Sequence, residues 1–217
     1  MRCIKNQFVL AGFVALAWFW LVPGARADDA YYMVIFAYQG NPKVPRLAHS
    51  FATFVKVPQD KDGKALTSRC EIHSISWIAA TWNVSLLRAP ERGKNFDLPS
   101  TMRQASAVNA QVTAWGPYRI KKELYDKALA QIIRLESGKI AYKALDRGLR
   151  RDIATNCFHA ISDLVDGPLL ETGTAFGNAA SEMVRDHLAP WIIDRKTTHR
   201  FLLEPLGLTK YTINYRE

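Results

Sequence analysis

The sequence predicts an α+β fold in which helices pack against an antiparallel sheet. Three segments are rich in aromatic and β-branched residues and are bounded by turn-forming residues, which is typical of strands. Two later segments have apolar residues at helical spacing. The predicted strands are residues 31–38, 49–57 and 70–78, and the predicted helices are residues 121–137 and 174–188. The sequence contains no internal repeat, so one domain accounts for this order.

The first 27 residues have the organisation of a secretory signal peptide. Arg2 and Lys5 precede an apolar core, residues 8–22, and Ala25-Arg26-Ala27 is a small-x-small cleavage site. This core is shorter than the stretch of about 20 residues that a membrane-spanning helix needs. We therefore expect export to the periplasm or the medium, with residues 28–217 as a single mature domain. An uncleaved membrane anchor is the alternative.

The charge of the chain indicates its surroundings. The full chain carries a formal net charge of +9, and removing the three cations of the predicted signal peptide leaves +6. Such an excess suits an anionic cell-envelope surface, such as cell-wall polymer or lipid head groups, but ordinary solvated surface charge explains it more simply than a specific anion site. An exported protein is not expected to bind nucleic acid. The sequence has neither metal-ligand spacing nor a glycine-rich phosphate loop, so we expect no metal and no cofactor.

Shorter elements are predicted in the middle of the chain. Residues 83–95 are dominated by charged and turn-forming residues and are interpreted as a surface loop. Asp97 or Ser100 is expected to cap a short helix. A further strand is predicted over residues 108–115, and Gly116-Pro117 is expected to end it.

Cys157 is the candidate nucleophile. It follows the capping residue Asn156 at the start of a short predicted helix, where unsatisfied backbone N–H groups and the helix dipole favour a thiolate. A cysteine enzyme also needs a base, and His49 and His73 both lie on predicted hairpin strands. His159 lies two positions after Cys157, roughly 200° around the helix, and is expected to point away from it.

This order of residues resembles that of the circularly permuted papain-like proteins. That group includes permuted NlpC-like cell-wall peptidases and lecithin retinol acyltransferase-like proteins. Asn156-Cys157-Phe158-His159 is similar to the Asn-Cys-x-His motif of the acyltransferases, and His49 is similar to their strand histidine. The resemblance implies a permuted papain-like fold with Cys157 as nucleophile and His49 as base. It also implies a third polar residue on the strand that contains His73.

The same resemblance implies an activity. It predicts an exported thiol hydrolase or acyltransferase that acts on an amide or ester bond, with a Cys–His pair as its catalytic centre. A cell-wall peptide is the expected substrate, and a lipid or acyl substrate comes next. We take Cys157, His49 and His73 as the predicted catalytic residues.

The hairpin register bears on the third residue. If Asp62 and Gly63 are the two central turn residues, Ser76 lies opposite His49 and Ser74 on the same face. A slip of one residue turns the other face of the strand towards His49 and brings His73 into reach diagonally. The sequence leaves these registers open, and with them the choice among His73, Ser74 and Ser76.

A disulfide is the main alternative for Cys157. Cys70 and Cys157 are the only cysteines of the predicted mature chain, and paired cysteines in an oxidising compartment often form a bridge. In that case the protein would be a non-catalytic secreted binding or structural domain on the same fold. An inert buried cysteine is a third reading. The helix start and the upstream strand histidine favour the catalytic thiol, and the sequence leaves the alternatives open.

Overall fold

The computed structural model describes residues 29–146 and 148–216, and the predicted signal peptide lies outside them. These residues form a mixed α+β structure, as predicted. The strands are β1 (Ala30–Gln39), β2 (Ala48–Val57), β3 (Glu71–Ile75), β4 (Trp77–Ala79), β5 (Glu91–Asn95), β6 (Gln111–Ile120), β7 (Ala141–Tyr142), β8 (Ala154–Thr155) and β9 (Ile213–Arg216). The helices are α1 (Leu98–Ala107), α2 (Lys122–Glu136), α3 (Cys157–Ser162) and α4 (Asn178–Leu188).

The strands form two sheets. The larger sheet has the order β3-β2-β1-β6-β9, and the smaller sheet has the order β4-β5-β7-β8. Most neighbours are antiparallel, but β9 runs parallel to β6 and β8 runs parallel to β7. The predicted antiparallel sheet is therefore found in part, since each sheet ends in a parallel edge pair.

Both faces of the larger sheet are covered, which explains the continuous apolar run of β1. Residues such as Ile35 face a core that also contains side chains from α2, α3 and α4. The alternate residues, such as Phe36, face a second core with side chains from α1 and from residues 202–208. In a strand that is buried on both faces, apolar and polar residues do not alternate. The absence of alternation in residues 31–38 is therefore a consequence of this double cover.

The hairpin of β2 and β3 differs from both predicted registers. Ala52 pairs with Ile75 and Lys56 pairs with Glu71, a shift of two residues from the register with Asp62-Gly63 at its centre. The connection is longer than a two-residue turn, because it contains a turn closed by Asp60 and a short 3-10 helix, Thr67–Arg69. Loop length sets hairpin register, so both predicted registers are wrong.

Three other boundaries differ from prediction. Residues 91–95 are strand β5 instead of loop, because they pair with β4 on one side and β7 on the other. Strand β6 continues through Gly116-Pro117 by means of a register shift opposite Met33 and Ile35. Helix α4 begins at Asn178, and residues 166–177 before it form neither helix nor strand.

The cap of α1 follows the prediction. The carboxylate of Asp97 accepts the N–H of Ser100 at 2.7 Å, which satisfies one of the free donors in the first turn. In the part of the chain that the structure describes, no helix combines the length and apolar character that crossing a membrane requires.

Candidate active site

Cys157 and His49 line the same cavity, which has a volume of about 560 Å³. The start of β2, the first turn of α3 and residues 170–177 form its sides. Most of the remaining wall is apolar. Its large apolar side chains are Val84, Leu86, Tyr142, Leu145, Phe158, Leu170 and Phe176. The structure therefore brings the predicted nucleophile and the predicted base, which are far apart in the sequence, to one cavity.

Cys157 is the first residue of α3 and is partly exposed. Asn156 caps the helix, since its Oδ1 accepts the N–H of His159 at 2.8 Å. Backbone N–H groups of Ser50 and Phe158 contact the sulfur and lower the pKa of its thiol. Ser50 directly follows His49, so this contact places the sulfur beside the strand position that carries the histidine. Among the described residues, no hydrogen bond joins the sulfur to the ring of His49.

The thiol of Cys157 is protonated in the resting site. Burial raises its pKa to about 11, and the backbone N–H groups lower the pKa by less than burial raises it. Burial therefore opposes the thiolate that the helix start is expected to favour. Loss of water around the sulfur has the largest effect on this pKa.

His49 is a neutral imidazole at the wall of the cavity. Its side chain is 1% exposed, and burial lowers its pKa to about 3. The ring stacks on Phe51, with centroids 5.6 Å apart. Nε2 lies 2.8 Å from the Oγ of Ser76, whereas Nδ1 is buried and has no hydrogen-bond partner among the described residues. A neutral imidazole with a free ring nitrogen has the chemical character of a base.

Ser76 occupies the position beside His49 that the hairpin argument considered for the third residue. It lies between β3 and β4, outside the ladder with β2, and its backbone N–H donates to Asn95 Oδ1. Its hydroxyl is 2.8 Å from the hydroxyl of Thr101 on α1. Thr101 in turn is 2.9 Å from the backbone oxygen of Asp97. A chain of buried hydroxyls therefore connects His49 to α1.

His73 is not at this cavity. It pairs with Phe54 in the middle of the hairpin, and its ring packs edge-on against Tyr125 with centroids 6.0 Å apart. It lines a separate surface cleft with Ser74 and Asn95. Ser74 also has a different partner, since its hydroxyl lies 2.9 Å from that of Thr53. Of the three candidates for the third residue, only Ser76 contacts His49.

His159 lies in the cavity wall, but both of its ring nitrogens are engaged. Nδ1 is 2.8 Å and 3.0 Å from the two carboxylate oxygens of Asp146. Nε2 donates to the backbone oxygen of Leu170 at 2.8 Å, which ties the segment 166–177 to α3. A ring whose two nitrogens are held in this way is not available to accept a proton from Cys157.

Asp146 is a buried residue of this site that sequence reasoning missed. It is 3% exposed and accepts the backbone N–H and the side-chain amide of Asn156, both at 2.9 Å. It also forms an ion pair with Arg151. These contacts fix the loop that delivers the chain to Cys157. The only sequence signal is a single acid directly before the basic run 147–151.

Cys70 and Cys157 are both free thiols. Cys70 precedes Glu71, which pairs with Lys56 near the end of β2, whereas the sulfur of Cys157 contacts Ser50 near its start. Six residues of strand separate these points by about 20 Å, far beyond the Cα separation of about 4.4–6.8 Å in disulfides. The bridge that the non-catalytic alternative assumed is not formed in this structure.

No family model, no curated protein and no solved structure matches this chain. Within the described ranges, no group of three or more histidine, cysteine, aspartate or glutamate side chains is placed to hold a metal ion. A functional assignment therefore depends on the geometry and chemistry of this cavity.

Proposed function

We propose that this protein is an exported thiol hydrolase or acyltransferase that acts on an amide or ester bond through Cys157 and His49. One observation carries the proposal. The buried Nδ1 of His49 has no hydrogen-bond partner in the described part of the chain, and it belongs to a residue that lines the same cavity as the Cys157 thiol. A buried nitrogen without a hydrogen-bond partner lowers the stability of the folded protein. A role in accepting the proton of a nucleophile explains why such a nitrogen is present.

The reaction begins with a neutral pair. The thiol proton of Cys157 moves to Nδ1 of His49 as the sulfur attacks the carbonyl carbon, because burial disfavours a separate thiolate–imidazolium pair before attack. The carbonyl oxygen becomes an oxyanion, for which the backbone N–H of Cys157 is a donor. The leaving amine or alcohol then takes the proton from His49, and a thioester remains. Water or an acceptor alcohol or amine, deprotonated by His49, releases the acyl group.

A permuted papain-like architecture is part of the proposal. Its support is the order and placement of the parts: His49 at the start of β2, Ser76 after β3, and Cys157 at the start of a helix that packs on the same sheet. In this arrangement Ser76 is the third polar residue, and it holds the nitrogen of His49 that does not take part in proton transfer.

A cell-wall peptide remains the first proposed substrate, supported by the signal-like N-terminus and the positive charge of the chain. The same charge supports association with an anionic cell-envelope surface. A lipid or acyl substrate is the second candidate, and the wall of the cavity favours it. Val84, Leu86 and Phe176 are suited to an apolar chain. The carboxylates of cell-wall peptides would need cationic partners at the mouth.

The test is a substrate panel read by mass spectrometry. The protein is incubated with purified cell-wall peptides and with p-nitrophenyl esters of increasing chain length. We expect turnover of one series and an acyl adduct on Cys157 that hydroxylamine removes. Cys157→Ala should abolish both, and Cys70→Ala is the matched control that should retain both. Hydrolysis that survives in Cys157→Ala, or an adduct on another residue, would overturn the proposal.

A further inference from the structure

We infer that the mouth of the Cys157 cavity docks on an anionic phospholipid bilayer through three exposed leucines, Leu87, Leu145 and Leu169. These three side chains form the leucine rim. Docking requires neither a reactive thiol nor turnover, so it is independent of the proposed activity. Only the passage of a substrate from the bilayer into the cavity rests on the proposed function.

The leucine rim belongs to three chain segments that reach the cavity. Leu145 lines the cavity itself. Leu87 directly follows Leu86, and Leu169 directly precedes Leu170, and both of these neighbours line the cavity. Segments that are far apart in the sequence therefore each place one leucine in the cavity wall or next to it.

The side chains of the leucine rim are exposed to solvent. Leu87 is 92% exposed, Leu145 is 54% exposed and Leu169 is 41% exposed. A single exposed leucine is common on protein surfaces, but several at one cavity indicate a surface that an apolar partner covers. Transfer of these side chains out of water would stabilise the docked state.

Hydrogen bonds to the backbone hold Leu87 in its exposed position. The ammonium group of Lys143 donates to the backbone oxygen of Leu86 at 3.4 Å and also to the backbone oxygen of Arg88. One cation therefore binds the residues on both sides of Leu87. Lys143 is also two residues before Leu145, so it joins two of the segments that carry the leucine rim.

The third segment is held in a similar way. Nε2 of His159 donates to the backbone oxygen of Leu170 at 2.8 Å, beside Leu169. His159 lies on α3, the helix that begins with Cys157. The position of Leu169 is therefore fixed relative to the cavity, and its exposure is a property of the folded backbone.

The charges near the leucine rim favour an anionic partner. Lys43 and Arg46 are exposed on either side of Pro45, which lines the cavity. Arg88 is also exposed, although it pairs with a glutamate. Glu171 is the exposed acid of the cavity wall. The chain after the predicted signal peptide carries a net charge of +6, so attraction to an anionic surface prevails.

A bilayer suits both the leucines and the cations. The leucines enter the boundary between head groups and acyl chains, while the cations contact anionic head groups, as in other proteins that bind membrane surfaces. Among the described residues that line the cavity there is no lysine or arginine, so its apolar wall continues to the leucine rim without a cation. A cell-wall polymer offers negative charge but no apolar phase, and it would leave the leucines in water.

The test is sedimentation with lipid vesicles. Vesicles of phosphatidylcholine alone are compared with vesicles that contain about 30% phosphatidylglycerol, and purified cell-wall polymer is a parallel sample. The test variant is Leu87→Ser with Leu169→Ser, since neither residue lines the cavity. The matched control is Ile133→Ser with Ile193→Ser, which are 72% and 56% exposed and lie outside the cavity wall. All variants share one N-terminus, so differences between them report the substituted side chains.

We expect binding to the anionic vesicles, weaker binding to phosphatidylcholine alone, and a loss of about tenfold or more in vesicle partitioning for the leucine pair. The isoleucine pair should partition like the wild type. Circular dichroism verifies folding, and Leu87→Ser alone replaces the pair if the pair does not fold.

Three results would overturn the inference. They are no binding to vesicles, binding to cell-wall polymer only, and equal partitioning of the leucine and isoleucine pairs. Vesicle binding that depends on the leucines supports the inference even when no substrate is turned over. Absence of Cys157-dependent turnover counts against the proposed function instead, so the two proposals fail separately.

Discussion

His159 and Asp146 form a buried pair in the cavity that Cys157 lines, with Nδ1 of His159 2.8 Å from the nearer carboxylate oxygen. The same carboxylate forms an ion pair with Arg151 and accepts the backbone N–H and the side-chain amide of Asn156. Asn156 before Cys157 and His159 after it are therefore both held by Asp146.

We predict that Asp146→Asn is strongly destabilising. It leaves the buried donors of His159 and Arg151 without a charged acceptor, and removing one partner of a buried pair costs about 3–5 kcal/mol. Urea unfolding measures the change. Asp152→Asn is the control, because Asp152 pairs with Arg150 on the surface and its loss should leave the midpoint unchanged. Equal midpoints for the two variants would contradict the role of Asp146.

Alkylation of Cys157 by iodoacetamide should accelerate steeply with pH. A thiol with its pKa raised to about 11 is almost entirely protonated at neutral pH, and each unit of pH below the pKa lowers the thiolate fraction about tenfold. We expect the rate to rise continuously from pH 7 to pH 10. A Cys70→Ser background isolates the signal. A rate that is already constant between pH 6 and pH 8 would indicate a resting thiolate and contradict this prediction.

The stability of the protein should fall on the acid side because of His49. Burial holds its folded-state pKa near 3, below the ordinary value of 6.5, so between these values the unfolded state binds a proton that the folded state does not. The free energy of unfolding should therefore decrease as pH falls below 6.5, by up to about 1.4 kcal/mol per pH unit. Urea unfolding from pH 7 to pH 4 measures this.

The control for that slope is the matched pair His49→Gln and His73→Gln. Removing His49 should flatten the acid slope, whereas removing His73, which lies outside the cavity, should not remove the part that His49 contributes. An identical slope in the wild type and His49→Gln would show that His49 is not buried in its neutral form.

Cys70→Ser should have little effect on stability. Cys70 is free and partly buried beside the second core. A bridge to Cys157 would close a loop of 87 residues, and its loss would cost about 4–5 kcal/mol. Urea unfolding without reductant, together with a count of free thiols, distinguishes free cysteines from a Cys70–Cys157 disulfide. A large loss of stability in Cys70→Ser and in Cys157→Ser alike would restore the disulfide alternative.

Local patterns in the sequence predicted the elements whose structure depends on neighbours in the chain. Strands β1 and β2 follow from runs of β-branched and aromatic residues, and α2 follows from its 3.6-residue spacing. The Asp97 and Asn156 caps were predictable for the same reason, since a capping side chain bonds a backbone N–H two or three residues away. Strand β5 was not predictable, because its partners lie in other parts of the chain.

The sequence by itself identified Cys157 and His49 as a candidate pair, with a capped helix for one and a strand for the other. Only the tertiary structure decided that Ser76 holds His49, that Asp146 supports Cys157, and that His73 lies elsewhere. The reason is physical. Burial changes the pKa values of Cys157 and His49. This burial depends on contacts between segments that lie from 20 to more than 100 residues apart in the chain. A local sequence pattern does not determine how much solvent exposure a side chain loses when distant segments pack around it.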